Sequence, residues 1–173
     1  MSSESIRLTG TSYAVLGLLD AWGPCTPYDL KQAIETTVQN FWPVPHTTFY
    51  AEPERLEKAG LLSVEQEEHG RRRKLYSTTA AGKKALAAWV AEPTATPPQL
   101  RDELVLKIFL GADPAPLAAE RVEWHRAKLA ELEGYLEAVR AGEGHTPGIE
   151  RSLVVGTTYE RAVLEVFEKL RPS

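Results

Sequence analysis

Residues Pro45 to Gly82 read PHTTFYAEPERLEKAGLLSVEQEEHGRRRKLYSTTAAG and carry the clearest fold signal in the chain. The first part of this stretch predicts a helix over about His46–Ala59. Gly60 should end that helix, because glycine readily adopts the left-handed backbone of a helix C-terminus. Two β-prone runs follow, Leu62–Gln66 and Arg72–Ser77, joined by a short turn that contains glycine. The predicted order is therefore a helix followed by a β-hairpin.

Consecutive cations lie beside the turn of this hairpin. They are Arg71, Arg72, Arg73 and Lys74. In a winged helix, such cations contact DNA phosphates while the preceding helix offers side chains to base edges. The stretch therefore predicts a winged helix that binds double-stranded DNA; the alternative is a solvated charge run offset by glutamates across the hairpin. Strand alternation also predicts that Leu75 faces the core with Leu62 or Val64.

The helix of the quoted stretch carries the other expected DNA contacts. Helix-turn-helix proteins usually meet base edges with the amino end of this helix, and a helix N-terminus also favours phosphate. The residues expected there are His46, Thr47, Thr48 and Tyr50. Phe49 and Leu56, seven residues apart, should point the opposite way into the core.

Two residues of the same helix have open interpretations. Arg55 can contact a phosphate or pair with Glu52, Glu54 or Glu57. Pro53 removes one helical hydrogen bond, at a cost of about 3 kcal/mol. It predicts either a kink or a regular helix that starts near Pro53.

The prolines of residues 92–98 (EPTATPP) mark the clearest boundary in the chain, because proline cannot continue a helix. Before it we expect a buried helix over about Thr11–Ala21, a second from Pro27 to about Thr37, and a fourth capped by Thr79 that ends near Ala91. The predicted domains are a winged helix at 1–91, a linker at 92–98 and a helical dimerisation arm at 99–173. The predicted fold is mainly α with a small β-hairpin.

The C-terminal part predicts a short apolar helix that ends at Gly111 and two long helices, Leu117–Arg140 and Glu150–Leu170. Apolar residues recur along both at alternating steps of three and four, the spacing of a coiled-coil contact. Two such helices in an antiparallel hairpin leave apolar surface for a second copy to cover. The predicted dimer residues are Val122, His125, Leu129, Leu132, Leu136, Tyr159, Val163, Val166 and Leu170. The alternative is that both stripes fold back on residues 1–91 of a monomer.

His125 interrupts the apolar stripe, and Trp124 precedes it. A polar residue inside such a seam usually fixes register and pairing. The other interpretation is that Trp124 and His125 line a pocket for an effector molecule.

Composition bounds the remaining possibilities. Basic and acidic residues balance at ten each in residues 1–91, whereas residues 92–173 have ten against fourteen, so the net charge of −4 lies in the second part. A single cysteine fits a reducing compartment, and the absence of a signal peptide or apolar span predicts a cytoplasmic protein without membrane contact. Neither metal-ligand spacing nor a catalytic motif is present, so we expect no metal, no cofactor and no enzymatic activity.

Several motifs in order resemble a known family. They are LTGTSYAVLGLL at 8–19, FW at 41–42, HTTFY at 46–50, RLEKAGLL at 55–62, RRRKLY at 71–76 and TAAG at 79–82. In this order the chain resembles the PadR-like transcriptional regulators. It departs from their usual pattern at Pro27, where glycine is common, and at Pro53, where leucine is common.

The resemblance implies a homodimeric regulator that binds an inverted-repeat operator sequence-specifically. Repression is the expected mode, and some relatives respond to flat aromatic effectors. The alternatives are a MarR-like regulator, whose helices flank the winged helix at both ends, and a winged helix used for protein contacts alone.

Overall fold

The computed structural model of the chain describes residues 6–45, 47–66, 72–142 and 147–170. It contains helices α1 Gly10–Trp22, α2 Pro27–Thr36, α3 Thr48–Lys58, α4 Ala80–Ala91, α5 Glu103–Phe109, α6 Pro114–Arg140 and α7 Pro147–Leu170, and strands β1 Leu62–Gln66 and β2 Lys74–Thr78. A 3₁₀ turn follows α2. The chain divides into two compact units, Met1–Ala95 and Thr96–Ser173, so the division falls within the predicted linker. The mainly α fold with one β-hairpin is confirmed.

Side-chain caps fix the helix starts in the first unit. The Thr26 hydroxyl accepts a hydrogen bond from the Asp29 N–H at 3.2 Å, and Pro27 occupies the first helical position. The Thr79 hydroxyl accepts from the Gly82 N–H at 3.1 Å. Each cap satisfies a backbone donor that the helix itself leaves unpaired. Both predicted start signals are confirmed.

One hydrophobic core holds the first unit together. Apolar side chains from α1, α2, α3, β1 and β2 meet in it, and its buried members include Leu16, Leu30, Ile34, Phe49, Leu56 and Tyr76. Phe49 and Leu56 therefore point inward as predicted. Gly82 allows close packing at this core, because a Cβ there would lie 2.2 Å from the Leu61 carbonyl oxygen.

The β-hairpin differs from its prediction in which face is buried. Antiparallel pairing places Val64 opposite Tyr76 and Gln66 opposite Lys74. Tyr76 enters the core, whereas Leu75 lies opposite Glu65 on the other face and is half-buried. The prediction that Leu75 faces the core was therefore wrong. The large aromatic ring of Tyr76 fills the core side of the hairpin. Because side chains alternate along a strand, Lys74 lies on the same face as Tyr76.

Pro53 lies inside a continuous α3 and is itself buried. The helix begins at Thr48, so the interpretation that its regular part starts near Pro53 was wrong. Pro53 takes up apolar volume on the inner side of the helix beside Phe49 and Leu56. This burial offsets part of the free energy lost with the missing hydrogen bond.

The second unit is built around a hairpin of α6 and α7. Its core contains Leu104, Ala118, Val122 and Phe167. The stripe predicted on α6 is buried at most of its positions. On α7, Thr157, Glu160 and Phe167 are buried, whereas Tyr159 and Val166, which belong to the stripe predicted for the dimer, are 53% and 54% exposed. Apolar residues of α7 recur at helical spacing on more than one face. The sequence alone therefore does not show which of these faces packs against α6.

Candidate nucleic-acid interface

One face of α3 is exposed to solvent and faces away from the core. It consists of Thr47, just before the helix, with Tyr50, Ala51, Glu54 and Lys58, and we call it the α3 face. Of the predicted contacts, Thr47 and Tyr50 belong to it, while Thr48 is half-buried and His46 lies outside the described residues. Ala51 and Glu54 were missed in the sequence. Helical steps of four, from Thr47 to Ala51 and from Tyr50 to Glu54, would have found both.

The wing places its described cations at the end of β2 nearest the turn. Arg72 is exposed and has a positive φ of 48°, and its carbonyl oxygen accepts a hydrogen bond from Gln66 Nε2 at 3.2 Å. Arg73 is also exposed and lies close enough to Asp29 to influence it. Hydrogen bonds from Thr26 are the main cause that lowers the pKa of Asp29, and the Arg73 charge adds to them. Arg71 lies outside the described residues.

Lys74 joins the wing to the α3 face. Its Nζ lies 3.1 Å from Glu54 Oε1, and about half of each side chain is exposed. The hydrogen bond to Glu54 is the main cause that raises the pKa of Lys74. The alternative interpretation of the wing paired its cations with glutamates across the hairpin. Lys74 instead pairs with Glu54, which lies on α3.

A groove of about 350 Å³ runs between the start of α2, the α3 face and the wing. Its lining includes Tyr28, Tyr50, Glu54, Arg73 and Lys74. Tyr28 is mostly exposed and accepts a hydrogen bond from Gln32 at 3.3 Å. Reasoning from the sequence missed Tyr28, because nothing local indicates that the start of α2 adjoins the wing. The groove brings hydroxyl, carboxylate, guanidinium and ammonium groups together on one surface.

Arg55 points from α3 toward α1, away from the α3 face. Its Nε and Nη2 donate to the two oxygens of Glu52 at 2.9 and 2.6 Å, and Nη2 also donates to Ser12 Oγ at 2.9 Å. Its Nη1 donates to the Arg7 carbonyl oxygen at 3.1 Å. Of the two interpretations of Arg55, the ion pair with Glu52 is present in the structure. Its phosphate contact stays a prediction.

Glu52 is only 8% exposed although it is charged. Burial opposes its ionisation, but hydrogen bonds from Arg55 and Ser12 outweigh burial, so the pKa of Glu52 is lowered. A buried carboxylate of this kind needs its partners to remain charged. The pair therefore fixes how α3 sits against α1, and so how the α3 face is presented.

The predicted dimer residues divide into two groups. Val122, His125, Leu132 and Leu136 are buried, and α7 of the same chain packs on this side of α6. Leu129, Val163 and Leu170 are half-buried, while Tyr159 and Val166 are exposed. Their role in dimerisation stays a prediction.

His125 is held inside the α6–α7 hairpin. Its Nδ1 lies 2.6 Å from Glu160 Oε2, and its ring stacks on Phe167 at a centroid distance of 5.5 Å. Its Nε2 has no hydrogen-bond partner among the described residues. The pair ties α6 to α7 at one register, in keeping with the structural interpretation of this residue.

Trp124 lies on a different side of α6 from His125. Its ring borders an open groove of about 380 Å³ between α5 and α6, with Leu104, Lys107 and Arg121 also in the lining. The Trp124 and His125 rings meet edge to face at 4.7 Å, but His125 faces α7 rather than the groove. The effector pocket predicted for this pair stays a prediction.

Two features are absent from the described residues. No group of three or more histidine, cysteine or acidic side chains is placed there to hold a metal ion. Nor do these residues include a helix with the length and apolarity needed to cross a membrane.

The fold of the first unit is that of a winged helix, with α3 as the helix that precedes the wing. Residues 15–88, most of this unit, match the family model described as the transcriptional regulator PadR-like family. The winged-helix unit therefore matches the PadR-like family of transcriptional regulators, as its motifs indicated. That family consists of regulators rather than enzymes.

Individual relatives agree with this assignment. The negative transcriptional regulator PadR of Bacillus subtilis (strain 168) is 27% identical over 136 residues, which cover 75% of this chain and 74% of the relative. The crystal structure of Bacillus subtilis PadR in complex with operator DNA has a TM-score of 0.81 at 24% identity, and covers 96% of this chain and 98% of that one. The same protein in complex with p-coumaric acid gives a TM-score of 0.74 at 24% identity, over 92% of each chain.

Proposed function

We propose that this chain is a sequence-specific DNA-binding repressor that acts as a homodimer on an inverted-repeat operator. The observation that carries the proposal is the α3 face beside the wing. Tyr50 is 54% exposed at the amino end of α3, and cations of the wing lie along the same groove. An exposed helix face of hydrogen-bonding groups with adjacent cations suits base edges and phosphates together.

The relatives support DNA as the partner. Bacillus subtilis PadR has been crystallised with operator DNA, and its fold extends over nearly all of this chain. The exposed arginines of the wing give this chain the charge needed for phosphate, even though its net charge is −4. A winged helix used for protein contacts alone has no physical need for such cations.

The second unit supports a homodimer. Large apolar side chains remain exposed on α5, directly after it and on α7 of the single chain, among them Leu106, Phe109, Leu110, Val155, Tyr159 and Val166. Burying this surface against a second copy would remove it from water, at about 25 cal/mol per Å². A two-fold dimer would present two α3 faces to one duplex.

Repression and an effector response rest on the relatives. The Bacillus subtilis relative is a negative regulator, and it has been crystallised with p-coumaric acid. The groove beside Trp124 offers an aromatic ring and the cations Lys107 and Arg121, groups that suit an aromatic carboxylate. We infer that such an acid lowers operator affinity.

The test is equilibrium binding of the full chain to duplexes enriched from a random pool. We expect an enriched sequence to bind at least about a thousandfold more tightly than a scrambled duplex of the same length. Tyr50→Ala should reduce that ratio, whereas Trp22→Ala, at an exposed aromatic outside both the α3 face and the groove lining, should leave it unchanged. Equal affinity for enriched and scrambled duplexes would overturn the proposal.

A further inference from the structure

We propose that Glu54 is a specificity-determining residue, which accepts a hydrogen bond from the exocyclic amino group of a cytosine in the major groove. Lys74 acts as its positioning residue. This inference rests on the proposed function and adds to it the identity of one base and the residue that reads it.

The first argument is position. Glu54 lies one helical turn after Tyr50 on the α3 face and lines the groove shared with the wing. A side chain at this place reaches the floor of the major groove when the amino end of the helix enters it. Its neighbour Ala51 is small and exposed, so it leaves room for a base to approach the Glu54 carboxylate.

The second argument is electrostatic. A carboxylate beside DNA phosphates is repelled unless a cation and a hydrogen-bond donor compensate it. Lys74 supplies the cation, at 3.1 Å from Oε1. An exposed pair of this kind contributes little to the stability of the free protein. The Lys74–Glu54 ion pair becomes stronger when bound DNA excludes water. It therefore contributes to the protein–DNA complex more than to the free protein.

The third argument identifies the base. An ionised carboxylate only accepts hydrogen bonds, and among bases in the major groove cytosine N4 and adenine N6 are donors. Adenine places the N7 acceptor beside its donor, which repels the second carboxylate oxygen. Cytosine itself presents no hydrogen-bond acceptor in the major groove, only the N4 amino donor. The geometry therefore favours cytosine.

The experiment measures binding of the full chain to the enriched duplex and to versions with each base pair changed in turn. For the wild type, we expect one C·G pair per half-site whose replacement by T·A weakens binding about tenfold. Glu54→Ala should abolish the penalty at that pair alone. Glu54→Gln should move the preference there toward adenine, since glutamine pairs with adenine N6 and N7. Glu92→Ala, the same change at an exposed glutamate that follows α4 and lies outside the α3 face and the groove lining, is the matched control and should keep the wild-type pattern.

Substitutions of Lys74 test its positioning role separately. Lys74→Met should lower discrimination at the same C·G pair, and Lys74→Arg should restore it. A residue that contacts phosphate alone would weaken all duplexes equally and leave that discrimination unchanged; this result would overturn the positioning role.

The outcomes separate this inference from the proposed function. A wild-type chain that enriches no sequence overturns both. A wild-type chain that enriches a sequence, with every base preference retained in Glu54→Ala, overturns the role of Glu54 and leaves the proposed function standing.

Discussion

Replacing Arg55 by leucine tests how α3 is held against α1. The change removes both hydrogen bonds to Glu52 and those to Ser12 and the Arg7 carbonyl, and leaves a carboxylate that is 8% exposed without its cation. Removing one partner of a buried ion pair costs about 3–5 kcal/mol. Because 37% of the Arg55 side chain is exposed, water screens part of this interaction, and we expect a loss of about 2 kcal/mol.

Urea unfolding at pH 7 and fixed protein concentration measures that loss. Tryptophan fluorescence reports mainly on the first unit, which contains Trp22, Trp42 and Trp89. A loss of about 2 kcal/mol should lower the urea midpoint by about 1 M. Arg55→Lys, which keeps the charge but not the planar fork, should lose less. Lys83→Met breaks an exposed ion pair with Asp20 in the same unit and should cost under about 1 kcal/mol.

The pH dependence gives a second readout. In the wild type the pKa of Glu52 is lowered, so its contribution to stability is present above the ordinary value of 4.5 and is lost as pH falls through the folded-state pKa. In Arg55→Leu, the hydrogen bonds and charge of Arg55 no longer outweigh burial, which is already the largest single influence, so we expect the pKa of Glu52 to rise and protonation to favour the folded state. The free-energy difference between wild type and variant should therefore shrink below about pH 4.5. A variant no less stable than Lys83→Met at pH 7, or a difference independent of pH, would refute the reasoning.

Three further predictions concern the wing, the packing and the assembly. Replacing Arg72 and Arg73 by glutamine should weaken binding to all duplexes alike and lower the slope of log affinity against log salt by about 1.8, doubled if both subunits contact DNA; an unchanged slope would show that these arginines do not contact phosphate. Gly82→Ala should destabilise the first unit by about 1–3 kcal/mol in thermal unfolding, because the added Cβ meets the Leu61 carbonyl. The control Gly134→Ala has open space around the added Cβ and should stabilise α6 by about 0.5–1 kcal/mol. Equal effects of the two substitutions would contradict the packing argument. Tyr159→Asp with Val166→Asp should give folded monomers by light scattering and circular dichroism, whereas Val122→Asp should unfold the α6–α7 hairpin; a dimer that survives the double substitution would exclude those two residues from the interface.

Local signals in the sequence predicted most of the fold. The caps at Thr26 and Thr79 and the glycine after α3 fixed helix ends, because each supplies a hydrogen bond or backbone conformation that the helix end requires. The sequence did not show which face of an element is buried where apolar residues lie on both faces. Leu75 and Tyr76 are both apolar, and strand alternation alone cannot tell which one enters the core. On α7, Glu160 and Phe167 are buried against His125 of α6, and the sequence alone did not indicate this contact.

The interface was predicted less completely than the fold. Thr47, Tyr50 and the wing cations were expected as contacts from helix position and charge, but Glu54 and Tyr28 were missed. Both depend on contacts between residues distant in sequence, as the pairing of Lys74 with Glu54 shows. Arg55 was left open among three neighbouring glutamates, although only Glu52 lies three residues away, the spacing at which side chains meet on a helix. The contact of Arg55 with Ser12 on α1 could not be predicted from local spacing.

Hydroxyl-radical footprinting of the enriched duplex with the wild-type chain tests whether two α3 faces bind one operator. We expect two protected patches of equal extent on one side of the duplex, related by two-fold symmetry and centred about 34 Å apart, one for each α3 face. A single asymmetric patch, or no protection above that of a scrambled duplex, would contradict this expectation.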